Sequence, residues 1–386
     1  MAKPVYLDNA ATTAPAPEVV EAMRVALTNL WGNPSSVHER GKQAKMAMET
    51  ARQQIAGLAH CHSDEVYFTS GGTEADNWAI EGALAMSSKA HKHLIVSAFE
   101  HHAILDAAKA ADKSGAMLTV VPVSPDGVVD PQQIAEAIRP ETVVVSVMHV
   151  NNELGTVQPI EEIGRLCKQH GVMFHSDCVQ SFGKLPLNFA ALPIDMISIS
   201  AHKIHGPKGV GALIVRRGTR LAQKQYGGSQ ERGKRTGTEN LPGIVGFGMA
   251  TELALANMAS DAVRLRSLRD SCEQALCDKI PGVVVNGRSA QRADNILNVR
   301  VSGCDGEELL IALDMRGICV STGAACSAGA HGASHVMTAL GLSTEDARAS
   351  LRISFGRYST PEDVAELVLQ LPQIVATQRA AAPMPR

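Results

Sequence analysis

A chain of 386 residues with 45% hydrophobic and 19% charged side chains holds apolar material for about two globular cores, which excludes a disordered chain. A net charge of −3 excludes a whole-molecule field that would draw in nucleic acid or an anionic membrane, and 3% aromatics exclude a base-stacking platform. Eight cysteines with no C-x-x-C pair fit neither zinc nor iron–sulfur ligand spacing and read as the reduced thiols of a cytoplasmic protein.

From Met1 the chain passes directly into structured-looking sequence, with neither signal nor transit character. No apolar run approaches the roughly 20 residues of a membrane span. Short apolar runs then recur: Lys92–Ala98, Met117–Val123, Thr142–Val147, Val172–His175, Met196–Ser200 and Val210–Val215 read as buried strands. Between them Ala103–Ala111, Pro131–Ile138 and Pro159–Gln169 carry helical spacing, the last opened by Pro159 and closed by Gly171. Strand–helix–strand alternation predicts a mostly parallel sheet covered by helices on both faces. Past Gly243 the character changes. A long helical stretch over Ile244–Ile280 reads as a connector to a smaller α+β domain. That domain would hold strands Val283–Val285 and Ile296–Val301, a helix near Glu307–Met315, a small-residue segment Ser321–Ala333, strand Leu351–Ser354 and helix Pro361–Leu371, ending in a frayed tail from Arg379.

Several nucleotide-site and hydrolase patterns are missing. No G-x-G-x-x-G follows a strand, and there is no P-loop, H-E-x-x-H or G-x-S-x-G; the glycines of Gly206–Gly211 precede a strand rather than a helix. The pairs His60/His62, His91/His93 and His101/His102 tempt a metal reading, but the first two sit in polar stretches that read as solvated loops.

The chemistry gathers at strand ends. Lys203 follows the strand Met196–Ser200 in Ser200-Ala201-His202-Lys203; Asp177, with Gln180 after it, ends an earlier strand. Gly71-Gly72-Thr73-Glu74 precedes a helix whose first N–H groups could cradle a phosphate, Glu100-His101 stands past another strand, and Asn151-Asn152-Glu153 past a third. Each has a bland alternative: a surface lysine, a capping Asp, an ordinary glycine turn. Together they place polar groups where open parallel sheets bind ligands. Pyridoxal 5′-phosphate (PLP) needs such a set: a lysine for the covalent link, a carboxylate at the pyridinium nitrogen, a phosphate cup and a flat group over the ring. Lys203, Asp177, then Gly72, Thr73, Ser200 and His202 together, and His101 would fill those roles. A second place of interest is Cys326, set among small residues in Ser321–Gly329, where an accessible loop would let a thiolate react; the bland reading is a small buried residue.

These motifs resemble group I cysteine desulfurases, of the class V aminotransferase branch of fold-type I PLP enzymes. The likeness is carried by Tyr6–Thr13, Ser70–Asn77, Glu100–Leu105, His149–Ile160, His175–Lys184, Ser200–Gly211, Gly227–Asn240, Ala325–Gly329 and Leu351–Tyr358, in family order. It implies an α/β fold with a mostly parallel seven-stranded sheet, a large PLP-binding domain over 15–255, and a small domain of 1–14 plus 256–386 carrying the cysteine loop. It implies PLP on Lys203, Asp177 at the pyridine nitrogen, Gln180 at the 3-hydroxyl, Asn152 near ring and substrate, and His101 stacked on the ring and moving protons. Gly72, Thr73, Ser200 and His202 would hold phosphate, with Thr238 reaching across a homodimer. Arg352 would pair with the carboxylate of L-cysteine, helped by Asn33. Cys326 would be the nucleophile that takes the sulfur and passes it to an acceptor such as an iron–sulfur scaffold or thiolation protein; with a partner it could also become a transient cluster ligand, no resident metal being expected. Ala201, His205 and Ala324 depart from the commonest family pattern without removing a reactive group. The alternatives are a selenocysteine lyase or other PLP lyase or transaminase of the same fold, and, from another class, a non-catalytic scaffold of a sulfur-transfer complex.

Overall fold

The computed structural model describes residues 4–322 and 333–381. In chain order the first half comprises β1 (Val5–Tyr6), α1 (Pro17–Asn29), α2 (Glu39–Ala59), β2 (Val66–Thr69), α3 (Gly72–Met86), β3 (His93–Ser97), α4 (His102–Lys113), β4 (Met117–Val121), α5 (Pro131–Ala137), β5 (Thr142–Ser146) and α6 (Ile160–Gln169). Next come β6 (Met173–Asp177), β7 (Met196–Ser200), β8 (Gly211–Val215) and the connector helix α7 (Leu241–Lys279). The remainder is β9 (Val283–Val285), β10 (Ile296–Val301), α8 (Gly306–Asp314), β11 (Ile318–Cys319), α9 (His335–Ala339), α10 (Thr344–Arg348), β12 (Ser350–Ser354) and α11 (Pro361–Ala381).

Seven strands form the main sheet in the order β2-β8-β7-β6-β5-β3-β4. The pairs β3–β4, β3–β5, β5–β6 and β6–β7 are parallel, whereas β8 runs antiparallel to both β7 and β2. β3, β5, β7 and β8 are buried at every residue, as strands covered on both faces must be. Their side chains divide by the two-residue period. Ile95, Ile197, Ile199, Ala212 and Ile214 enter a core shared with α2, α6 and α7; Leu94, Val96, Met196, Leu213 and Val215 enter one shared with α3 and α4. The edge strand β4 is half-exposed.

A second body forms around the antiparallel sheet β12-β10-β9, with α8, α11 and the C-terminal half of α7 packed on it. The N-terminal segment crosses over to join it: β1 pairs with β11, and Leu7 lies in this core. α7 is 39 residues long and apolar enough over one stretch to cross a bilayer, but half of that stretch is buried inside this fold. α11 continues past the expected end at Leu371, through Pro372 to Ala381, because Ile374 and Val375 stay anchored in the core and offset the lost backbone bond. His93 corrects another expectation. Rather than sitting in a solvated loop, it opens β3 fully buried, held between the hydroxyls of Thr142 at 2.8 Å and Thr119 at 2.9 Å.

Candidate active site

The C-terminal ends of β3, β5, β6 and β7 open onto a cavity of about 290 Å³, at the lower edge of the size range of small-molecule sites. Its wall contains Gly72, Thr73, His101, Asn152, Asp177, Gln180, Ser200, His202, Lys203 and Arg352. Residues spread from 72 to 352 in sequence thus meet at one place, as the strand-end pattern predicts.

Asp177 is the last residue of β6 and accepts a hydrogen bond from the Val179 N–H at 2.8 Å. Burial pushes its carboxyl up to about 6, while that N–H and Lys203 pull the other way. Lys203 closes the single 3₁₀ turn that follows β7; its Nζ donates to the carbonyls of Ala10 at 2.6 Å and Ala11 at 2.7 Å. The N-terminal segment therefore holds the lysine head in place from across the fold. His101 caps α4, its Nδ1 accepting from the Ala103 N–H at 3.1 Å, which assigns the proton of the neutral ring to Nε2. Burial and then Lys203 push His101 down to about 4, so the ring is neutral at pH 7.

Gly72 opens α3, where a Cβ would stand 2.8 Å from Val179 Cγ2 and 3.7 Å from Ser200 Cβ. The close contact is with the Val179 side chain just past β6, while Ser200 on β7 stands at ordinary contact distance, and Thr73, Ser200 and His202 all line the cavity. Burial, then the lysines Lys203, Lys208 and Lys184, push His202 down to about 3; its Nδ1 lies 3.1 Å from Thr12 Oγ1. The almost fully buried Arg352 gives Nη2 to Asp8 Oδ1 at 2.8 Å and Nη1 to the Asn152 carbonyl at 3.0 Å; among the described residues its Nε has no hydrogen-bond partner.

The donor set fits PLP. A carboxylate at a buried strand end suits a protonated ring nitrogen, an amine faces the same space, and a helix N-terminus with hydroxyl and imidazole groups suits a phosphate. Asp76 adds an observation of its own: it is buried in the same wall, with Oδ1 3.8 Å from His175 Nε2 and without a hydrogen-bond partner among the described residues. Asp76 and Asp8 were not among the sequence candidates. Asp76 could have been found, since it follows Thr73 by three residues on α3 and must share its face.

Two candidates stand apart. Asn33 is exposed, its Oδ1 accepting from the Ser35 N–H at 2.9 Å, and Thr238 is exposed; neither lines the cavity of this chain. Cys326 lies outside the described residues. The chain on either side is fixed near the cavity. Ser321 exchanges backbone hydrogen bonds with Arg352 at 3.1 and 2.6 Å, and Ser334 Oγ donates to Glu153 Oε2 at 2.6 Å.

The class-V aminotransferase family model matches residues 5–367 of this chain. The chain is 44% identical over 382 residues to a cysteine desulfurase IscS of Methanosarcina thermophila, covering 99% of this chain and 94% of that protein. It is 45% identical over 379 residues to a cysteine desulfurase of Trichormus azollae, covering 98% and 94%. Among solved structures, a NifS-like protein superposes with a TM-score of 0.90 at 34% identity, covering 97% of this chain and 100% of the other.

Proposed function

Because the chain belongs to the class-V aminotransferase family and is a PLP-dependent cysteine desulfurase, we propose a division of labour among its residues that turns L-cysteine into L-alanine and leaves the sulfur on Cys326. Lys203 Nζ holds the cofactor covalently, Asp177 keeps its ring nitrogen protonated, and Gln180 donates to its 3-hydroxyl oxygen. Gly72, Thr73, Ser200 and His202 take the phosphate. When bound, PLP supplies an electron sink that draws charge from the substrate Cα and weakens the Cβ–S bond.

The rest is done by protein groups. Arg352 fixes the substrate carboxylate through a two-pronged fork, with Asn152 beside it. Lys203, once released, takes the α-proton at Nζ, and neutral His101 is placed to exchange protons with the substrate. The Cys326 thiolate attacks the substrate sulfur: an S–S bond forms, the Cβ–S bond breaks, and its electron pair goes to the carbon side, which takes protons to become alanine. Cys326 is left as a persulfide. We assign the terminal sulfur to an acceptor protein of iron–sulfur cluster assembly or tRNA thiolation, in the cytoplasm. The exposure of Asn33 and Thr238, away from this chain's own cavity, supports a homodimer in which Thr238 completes the partner's phosphate site.

The observation that carries the assignment is Lys203, Asp177, His101 and Arg352 on one wall. The test is anaerobic incubation with L-cysteine, with alanine assayed and Cys326 inspected by peptide mass. The wild type should form alanine and gain one sulfur on Cys326. Cys326→Ala should still take up PLP and cysteine yet transfer none, and Lys203→Ala should lose the borohydride-reducible visible band. Sulfur transfer at the wild-type rate by Cys326→Ala would overturn the role of the thiol.

A further inference from the structure

A second lysine stands behind the first. Lys184 lies four residues past Gln180, and its Nζ donates to Gln180 Oε1 at 3.0 Å. Gln180 is buried, faces the cavity, and gives Nε2 to the Ala10 carbonyl at 2.8 Å. The same carbonyl receives Lys203 Nζ at 2.6 Å. A glutamine amide is nearly symmetric in shape, so its partners decide which end is oxygen and which is nitrogen. Here both ends are decided. The Ala10 carbonyl can only accept and so takes the nitrogen, which leaves the oxygen for the Lys184 amine, a donor whether charged or neutral. The second N–H of Gln180 is what remains for the cavity.

We propose that Lys184 is a positioning residue: by holding the Gln180 oxygen, it keeps the amide presenting N–H, rather than C=O, to the oxygen on the cofactor ring that Gln180 contacts. The inference rests on the role given to Gln180 above. Without Lys184 the Ala10 carbonyl alone would orient the amide, and the side chain could turn its oxygen toward the cofactor oxygen, where two acceptors repel.

The lysine occupies a place that disfavours its charge. Burial of its amine end, then Lys203 and Arg352, push Lys184 down to about 7. The histidines His202 and His205 also feel it, and Asp261 and Asp294 line the crevice that it shares with Lys203. A lysine amine kept in such a place, beside Lys203, marks its bond to the Gln180 oxygen as the local contact that holds it there.

A double-mutant cycle tests this. PLP-free wild type, Lys184→Met, Gln180→Ala and the double variant are titrated with PLP, and the pH midpoint of the visible band is followed in each loaded protein. Lys184→Met should weaken PLP binding about three- to tenfold, the worth of one hydrogen bond. Gln180→Ala should do the same, and the double variant should be no weaker than Gln180→Ala. The midpoint should rise in Lys184→Met and in Gln180→Ala and go no further in the double variant, whereas the loss of a nearby charge alone would raise it again in the Gln180→Ala background. Lys184→Met binding PLP like the wild type, or losses that multiply in the double variant, would overturn the proposal. Should Lys184→Met melt far below the wild type when PLP-free, Lys184→Arg decides: it retains a charged donor and should bind within about twofold of the wild type, whereas binding as weak as that of Gln180→Ala removes the lock. If the wild type itself takes up no PLP, the desulfurase assignment fails first and this inference falls with it.

Discussion

Arg352 has two commitments before any substrate arrives, to Asp8 and to the Asn152 carbonyl, and a buried Nε without a hydrogen-bond partner among the described residues. A planar guanidinium held this way presents parallel N–H groups in a fixed direction, which suits a carboxylate and which an ammonium cannot copy. Arg352→Lys should therefore raise the KM for L-cysteine by about ten- to hundredfold, the loss expected when a charge-assisted fork becomes a single contact. PLP uptake should stay normal. A cysteine KM unchanged in that variant would move the carboxylate elsewhere. At this scale the sequence was most readable where a polar side chain ends an apolar run or stands within three residues of its end: Ser200 ends one, and Asp177, Lys203 and His101 follow closely. It was unreadable where the partner is main chain. The carbonyls of Ala10 and Ala11, which hold Lys203 from 193 and 192 residues away, carry no residue signature, and Lys184 looks in sequence like any lysine after a glycine.

Backbone segments meet closely where β8 enters the sheet. A Cβ on Gly211 would stand 2.6 Å from the Ile199 carbonyl oxygen and 2.7 Å from the Gly71 carbonyl carbon, both backbone atoms of neighbouring segments. No side chain can step aside there, so Gly211→Ala must part β8 from β7 or push the turn that precedes α3. The cost should be about 1–3 kcal/mol of stability. Because that turn leads into Thr73, the variant should also purify with less PLP. A urea midpoint and PLP content both equal to the wild type would show that the contact relaxes freely. The same junction marks what sequence reading could and could not supply. Strands buried on both faces announced themselves as continuous apolar runs. The reversed direction of β8 did not, since the turn through Gly206–Gly209 can lead either way. β2 is only four residues long and offers no period. α2 was missed because its buried face is built from Gly41, Ala44, Met48, Ala51, Arg52, Ile55 and Ala56, mostly small residues plus one arginine. That arginine is buried by pairing with Glu231 through Nη1 at 2.8 Å and Nη2 at 2.7 Å, a contact invisible to hydrophobic periodicity.

Across the whole molecule, titratable groups are buried in opposing sets, and their balance sets how stability depends on pH. Burial pushes His93, His101, His149 and His205 down to about 4, and His175 and His202 to about 3. A depressed histidine contributes stability that is complete above its unfolded value near 6.5 and is lost as pH falls through the folded one. Burial also raises Asp76 and Glu153, and carries Asp177 to about 6 and Glu100 to about 8. A raised carboxyl works in reverse, its contribution complete below about 4 and lost as pH rises. Counting also His335, pushed down by burial, and Asp195 and Glu239, pushed up by it, the histidines outnumber the carboxyls by one between pH 4.5 and 6.5, so unfolding takes up at most about one net proton. Stability of the PLP-free protein should then rise with pH by at most about 1 kcal/mol per unit, less the screening at the part-exposed His101 and His202. From pH 7 to 8 the histidines fall silent. Glu100 then lowers stability with rising pH while Lys184, pushed down to about 7, raises it, and the curve should flatten. Above about 9 the thiols of Cys61, Cys167, Cys178 and Cys272, each pushed up to about 12 by burial, stay protonated only in the folded chain, and stability should fall again. Urea midpoints at pH 5, 7.5 and 9.5 read all three limbs. A midpoint at pH 5 equal to that at pH 7.5 would mean that the buried histidines do not outweigh the buried carboxyls, and would overturn the rising limb.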